Sequence, residues 1–201
     1  MRNKQAEIIN TLTDKELFFH LFLTQLILLI LSLILGFILF DDWASFASIF
    51  DFRDIRIFIV GVPAGLAIVA MDLALMKLLP PHYYEDGGIN ERIFKSLPLP
   101  LLFLVPAVVA WCEELLFRGV IQTHSGLILA SIIFALVHYR YLFNWFLLIN
   151  MVFLSFVIGF IYHQTGNLAV TITIHFIIDL LLGLAIKYRP STSKIHPGKE
   201  A

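Results

Sequence analysis

Long apolar runs, most of them long enough to cross a bilayer and separated by short polar breaks, constrain this chain more than any other feature. Lipid offers no partner to an open backbone N–H or C=O, so each run must satisfy its own hydrogen bonds, which selects α-helix. The chain is 59% hydrophobic and only 14% charged, with a mean hydropathy of +0.87. A soluble domain carries about 25% charged residues. The expected fold is therefore all-α, a polytopic transmembrane helix bundle.

Six spans are expected, over residues 17–40, 55–79, 97–123, 127–138, 142–162 and 168–187. At about 1.5 Å per residue most of them can cross a core of about 30 Å, and the fourth is short. The first is too long for the apolar region of a cleaved leader and reads as a retained span. Asp41-Asp42-Trp43 ends it, and residues 43–56 read as an amphipathic surface segment. The second span carries Gly61-x-x-x-Gly65 around Pro63, a pattern for close helix contact and a kink. Pro80-Pro81 stops it, and residues 83–95 read as a polar loop. His124-Ser125-Gly126 turns the chain between the third and fourth spans. Tyr139-Arg140-Tyr141 reads as an interfacial cluster, and Gln164-Thr165-Gly166-Asn167 as a tight turn. Three regions follow: residues 1–96 with two spans, an interfacial segment and a loop; residues 97–187 with the remaining spans; and a polar tail over 188–201.

Six spans put both termini on one side of the membrane. Only Arg53 and Arg56 fall on the opposite side, Arg118 lies within the membrane, and every other Lys and Arg falls on the terminal side. Positive residues concentrate toward the cytoplasm, so both termini are expected there, in a multi-pass protein of the cell membrane. A net charge of −1 with no basic patch argues against nucleic acid as a partner. The single cysteine, Cys112, excludes an intramolecular disulfide and a zinc site built from several thiolates.

Glu113, Glu114 and Arg118 stand inside the third span. One charged side chain at bilayer depth costs at least about 2.5 kcal/mol by insertion scales, so three within six residues need a reason. Glu114 and Arg118 are spaced i, i+4 and can pair on one helix face. Glu113 points about 100° around the axis, which leaves it as the reactive group. His175 and Asp179 share a face of the sixth span, and Phe134 and His138 have the same spacing on the fourth. Helix rise places Glu113 about 15 Å, His138 about 20 Å, and His175 and Asp179 about 12 and 18 Å from the turns that precede or follow them. Three helices thus bring carboxylates and imidazoles to overlapping depths. Asp72 is a further intramembrane acid, hydrogen-bonded to a neighbour or reaching toward the headgroups, and Asn150 reads as a helix–helix hydrogen-bond donor. Cys112, in apolar surroundings beside two acids, lacks the environment of a nucleophile.

A carboxylate in a dry cavity suits a general base that takes a proton from water. Two routes to amide hydrolysis remain open at this point. His138, His175 and Asp179 can ligate a divalent metal, zinc being one candidate, with water in the open position. Alternatively, the imidazoles hydrogen-bond the water and the developing oxyanion without metal. A polar network that only holds the bundle together is the competing reading.

Glu113-Glu114-x-x-x-Arg118, Phe134-x-x-x-His138 and His175-x-x-x-Asp179, in that order on apolar helices, resemble the CPBP (Abi) intramembrane metalloproteases. That family includes the Rce-type CAAX prenyl endopeptidases and bacterial relatives linked to bacteriocin processing and self-immunity. The turn Thr165-Gly166-Asn167-Leu168 is similar to the family as well, and the likeness spans residues 97–184. The resemblance implies an intramembrane endopeptidase in which Glu113 activates water, His138, His175 and Asp179 complete the site, and Glu114 and Arg118 support it. Asp179 stands where many relatives carry Asn. The implied substrate is a membrane-associated peptide or protein, and the implied location is the cytoplasmic membrane of a bacterium. The alternative is a non-proteolytic immunity or regulatory scaffold, or a proton-linked carrier using the same acids.

Overall fold

The computed structural model describes residues 11–84, 86–138, 141 and 144–189. The first ten residues, Tyr139 and Arg140 of the expected interfacial cluster, the first residues of the fifth span and the tail from residue 190 lie outside the described residues. Among the described residues eight α-helices follow one another: α1 (Asp14–Leu39), α2 (Trp43–Ser48), α3 (Val62–Leu78), α4 (Ile89–Ser96), α5 (Leu99–Glu114), α6 (Thr123–Val137), α7 (Trp145–Thr165) and α8 (Leu168–Tyr188). A π-helical stretch, Ile57–Gly61, leads into α3, and a second, Leu115–Gln122, carries α5 on to α6. No strand occurs among the described residues.

The helix starts are set by short polar side chains. Thr13 and Glu16 form a reciprocal capping box at α1, with the Thr13 backbone N–H donating to Glu16 Oε2 at 2.7 Å. Asn144 accepts from Leu147 N at α7, and Asn167 accepts from Ala169 N at α8. Such caps satisfy N–H groups that a helix start would otherwise leave open.

α8 is the hub and packs on α3, α4, α5 and α7. Its contact with α3 has the intimacy that the Gly61-x-x-x-Gly65 pattern predicts. A Cβ at Gly61 would stand 3.2 Å from the Val170 carbonyl oxygen, and one at Gly65 3.0 Å from Ile177 Cβ. Asn150 on α7 donates to Asp72 on α3 at 3.1 Å, the interhelical bond expected of Asn150 and, of the two roles open to Asp72, the hydrogen-bonded one.

Among the described residues five helical stretches are long and apolar enough to cross a membrane: Asp14–Leu39, Ile57–Leu78, Leu99–Val137, Trp145–Thr165 and Leu168–Tyr188. The third joins the third and fourth spans read from the sequence, and it is bent back on itself. Gly126 has φ 81° and ψ 168°, a region essentially restricted to glycine. After it the helix returns, so that the Phe117 and Phe134 rings meet edge to face at 4.9 Å. The returning arm holds only residues 127–137, about 16 Å of helix against a core of about 30 Å.

The polar segment at 83–95 differs from expectation, since it contains α4. This helix seats Ile89 and Ile93 in a cluster with Leu17, Leu97, Leu102 and Val105 and turns Arg92 to Asp14 at 2.8 Å. Its alternation of apolar and charged residues is amphipathic, and Gly88, at φ 81°, caps the start of the helix. The segment 43–56 forms the short helix α2 followed by turns, which Asn167 ties down by donating to the Asp51 carbonyl at 2.8 Å and to Asp54 Oδ2 at 3.1 Å. The Arg56 guanidinium and the Asn167 amide hold the Asp54 carboxyl well below the usual carboxylate range.

Replacing Gly126 with Ala forces a side chain into its left-handed geometry. The expected cost is about 1–3 kcal/mol, read as a lowered thermal midpoint of the purified protein in detergent. An unchanged midpoint would mean that the reversal does not depend on this residue.

Candidate active site

The two adjacent glutamates of α5 face different environments. Glu114 and Arg118 are almost wholly buried, at 1% and 0% exposure, whereas the side chains of Glu113, His138 and Asp179 retain 12%, 22% and 30%. The second set can be reached from outside the protein and the first cannot.

Glu114 is held from two sides. Arg118 Nε stands 3.4 Å from Glu114 Oε2, the i, i+4 pair expected from the sequence. His175 Nδ1, from α8, lies 3.0 Å from Glu114 Oε1. A carboxylate paired with a guanidinium only accepts, so Nδ1 donates and carries the proton. The guanidinium lies over the Phe134 ring, 5.3 Å from carbon to centroid, and its Nη1 and Nη2 donate to Ser155 Oγ on α7.

Glu113 is not left without a neighbour. His138 Nε2 lies 3.9 Å from Glu113 Oε2, beyond a direct hydrogen bond and within the reach of a shared water. His138 sits where α6 ends, with φ −90° and ψ 33°, and its Nδ1 lies 2.9 Å from the Phe134 carbonyl oxygen. A carbonyl only accepts, so Nδ1–H donates, and Nε2 keeps its lone pair toward Glu113. On the far side, His175 Nε2 stands 3.6 Å from Asp179 Oδ2 on the same face of α8.

The structure therefore brings all six residues into one linked cluster drawn from three apolar segments. It does not assemble the metal ligands expected from spacing. Among the described residues no group of three or more His, Cys, Asp and Glu side chains is placed to hold a metal ion. The physical reason is local: α6 delivers His138 to Glu113, while α8 delivers His175 to Glu114 and Asp179, so each Nε2 faces a carboxylate of its own. Cys112 is buried and unbonded, in keeping with its reading as a packing residue.

Ser155 has no place in the sequence motifs. Its signal is the small-residue spacing Ser155-x-x-x-Gly159 on the fifth span. There Gln122 Nε2 donates to the Gly159 carbonyl at 2.6 Å, and a Cβ on Gly159 would clash with Leu127 Cδ1. That spacing marks where α7 approaches the motif helix.

A family model described as type II CAAX prenyl endopeptidase, Rce1-like, matches residues 95–181, the stretch that holds every residue of this cluster. The chain is 42% identical over 166 residues to a Bacillus subtilis (strain 168) protein described as uncharacterized protein YpbD, covering 83% of this chain and 88% of that one. It is 33% identical over 118 residues to the UPF0177 protein YxdF of Lactococcus lactis subsp. lactis (strain IL1403), covering 56% of this chain and 65% of that one. No solved structure matches it.

Removing one member of the buried pair strands the other. Arg118→Met is expected to cost about 3–5 kcal/mol, and the double variant Glu114→Gln/Arg118→Met less than the single one, because no lone charge remains. Thermal midpoints in detergent measure both, and a double variant at least as damaged as Arg118→Met would contradict the pairing.

Proposed function

The chain belongs to the CPBP, Rce1-like family, and from that premise we propose that it is an intramembrane endopeptidase whose water is activated by Glu113 together with His138. The observation that carries this reading is the pair itself. Two reachable side chains 3.9 Å apart both present acceptors to the same space. A water there donates one hydrogen to Glu113 and the other to the His138 Nε2 lone pair, leaving its oxygen lone pairs for a substrate carbonyl.

Glu113 takes the proton as the oxygen attacks, and the hydroxide adds to the amide carbon to give a tetrahedral oxyanion. His175, as an imidazolium with Nδ1–H donating to Glu114, donates its Nε2–H to that oxyanion, and Asp179, 3.6 Å from the same Nε2, balances the ring's charge. Glu113 then returns the proton to the leaving amine. Glu114 and Arg118 touch no reacting atom and serve to hold His175. A metal held by His138, His175 and Asp179 would supply Lewis-acid polarisation, and these side chains would have to leave their present partners to bind it.

The protein is a multi-pass membrane protein, and we assign it to the cytoplasmic membrane of a bacterium with both termini inside. Its substrate in this reading is a membrane-associated peptide or protein cut by a CAAX-type protease.

Glu113→Gln and His138→Ala are each expected to lower cleavage by about 100-fold or more, with membrane insertion unchanged. N-terminal peptide profiling of membranes from cells carrying wild-type or Glu113→Gln protein identifies the products. If the cellular phenotype survives replacement of both residues, the protein acts as a scaffold and not as a protease. Cleavage is also expected to persist after exhaustive chelation, and loss restored by stoichiometric zinc would return the metal route.

A further inference from the structure

Ser155 lies on α7, a helix that contributes no carboxylate or imidazole to the cluster, and it is fully buried. Its Oγ is 3.3 Å from Arg118 Nη1 and 3.2 Å from Nη2, so both arms of the guanidinium converge on one hydroxyl oxygen. The remaining edge is less well held. Arg118 Nε and Glu114 Oε2 are buried without a well-aligned hydrogen bond, despite standing 3.4 Å apart. The pose of the guanidinium is therefore defined by Ser155 at its tip and by the Phe134 ring on its face.

The contrast with other helical hydroxyls sharpens the point. Ser32, Thr165 and Thr173 each donate to the carbonyl four residues back in their own helix, at 2.7–2.8 Å. That is the default for a hydroxyl in an apolar helix. The Ser155 oxygen instead accepts from a residue 37 positions away on another helix.

We infer that Ser155 is a positioning residue of the proteolytic site, acting through Arg118. By fixing the guanidinium tip it keeps the positive charge beside Glu114 Oε2 and leaves Oε1 free to hold His175 Nδ1. Without it, two buried N–H groups lose their acceptor and the guanidinium turns to find another, taking Glu114 and His175 with it. The inference rests on the proteolytic reading above.

Threonine and valine have the same shape and differ at this position only in the oxygen. Ser155→Thr is expected to keep kcat within a few-fold of wild type, and Ser155→Val to lower it at least about tenfold with KM little changed. A merely structural role would give both variants the same activity, and that result would overturn the inference. A second arm needs no cleavage: thermal midpoints in detergent of wild type, Ser155→Val, Arg118→Gln and the double variant. Coupling predicts that the valine costs stability only when Arg118 is present, and additive losses would overturn the link between the two residues. Wild-type protein that cleaves no substrate would overturn the proteolytic reading, and the catalytic part of this inference with it, while the midpoints still decide whether the hydroxyl and the guanidinium are coupled.

Discussion

A guanidinium and a carboxylate removed from water, Arg118 and Glu114, form the interaction on which the rest of the structure depends. Desolvating each ion costs several kcal/mol, and mutual attraction repays this only where further groups satisfy the remaining donors and acceptors. Here those groups come from separate helices: Ser155 from α7, Phe134 from α6 and His175 from α8. Solvating one ion pair thus specifies how four segments meet. Apolar packing between helices in lipid is not selective enough for that, since lipid tails compete for the same surfaces.

The same pair divides labour between two chemically identical neighbours. Glu113 and Glu114 are adjacent in sequence but about 100° apart around the helix. One turns into the interior and is occupied on both oxygens' sides, by Arg118 and by His175. The other turns to a space it shares with His138. Sequence adjacency combined with helical geometry is a compact way to place a structural carboxylate and a reactive one within one turn.

Much of this was legible in the sequence. The apolar runs gave the spans, and the spacing of Glu114 and Arg118, and of His175 and Asp179, placed each pair on one face. The Gly61–Gly65 pattern and the turn at Gly126 also read correctly, because glycine's roles there are steric and local. Other features were not legible. The partnership of Glu113 with His138 depends on where α6 stops, and tertiary contacts set that end. Depth along a helix does not fix which side of it faces which neighbour, so the separate pairing of His138 with Glu113 and of His175 with Glu114 and Asp179 follows only from the packed helices. Ser155 escaped notice because a serine in an apolar helix ordinarily bonds its own backbone. α4 is hidden in the sequence because Gly87-Gly88 signals a loop more strongly than eight amphipathic residues signal a helix.

The short returning arm of α6 has a consequence for the bilayer itself. A helix covering about half of the hydrocarbon thickness leaves a hydrophobic mismatch, which lipids meet by thinning or polar groups meet by reaching inward. The mismatch is localised at His138, where the arm ends. The eleven residues that follow Gly126 in α6 thus act as a spacer, and their number fixes how far from the turn His138 meets Glu113.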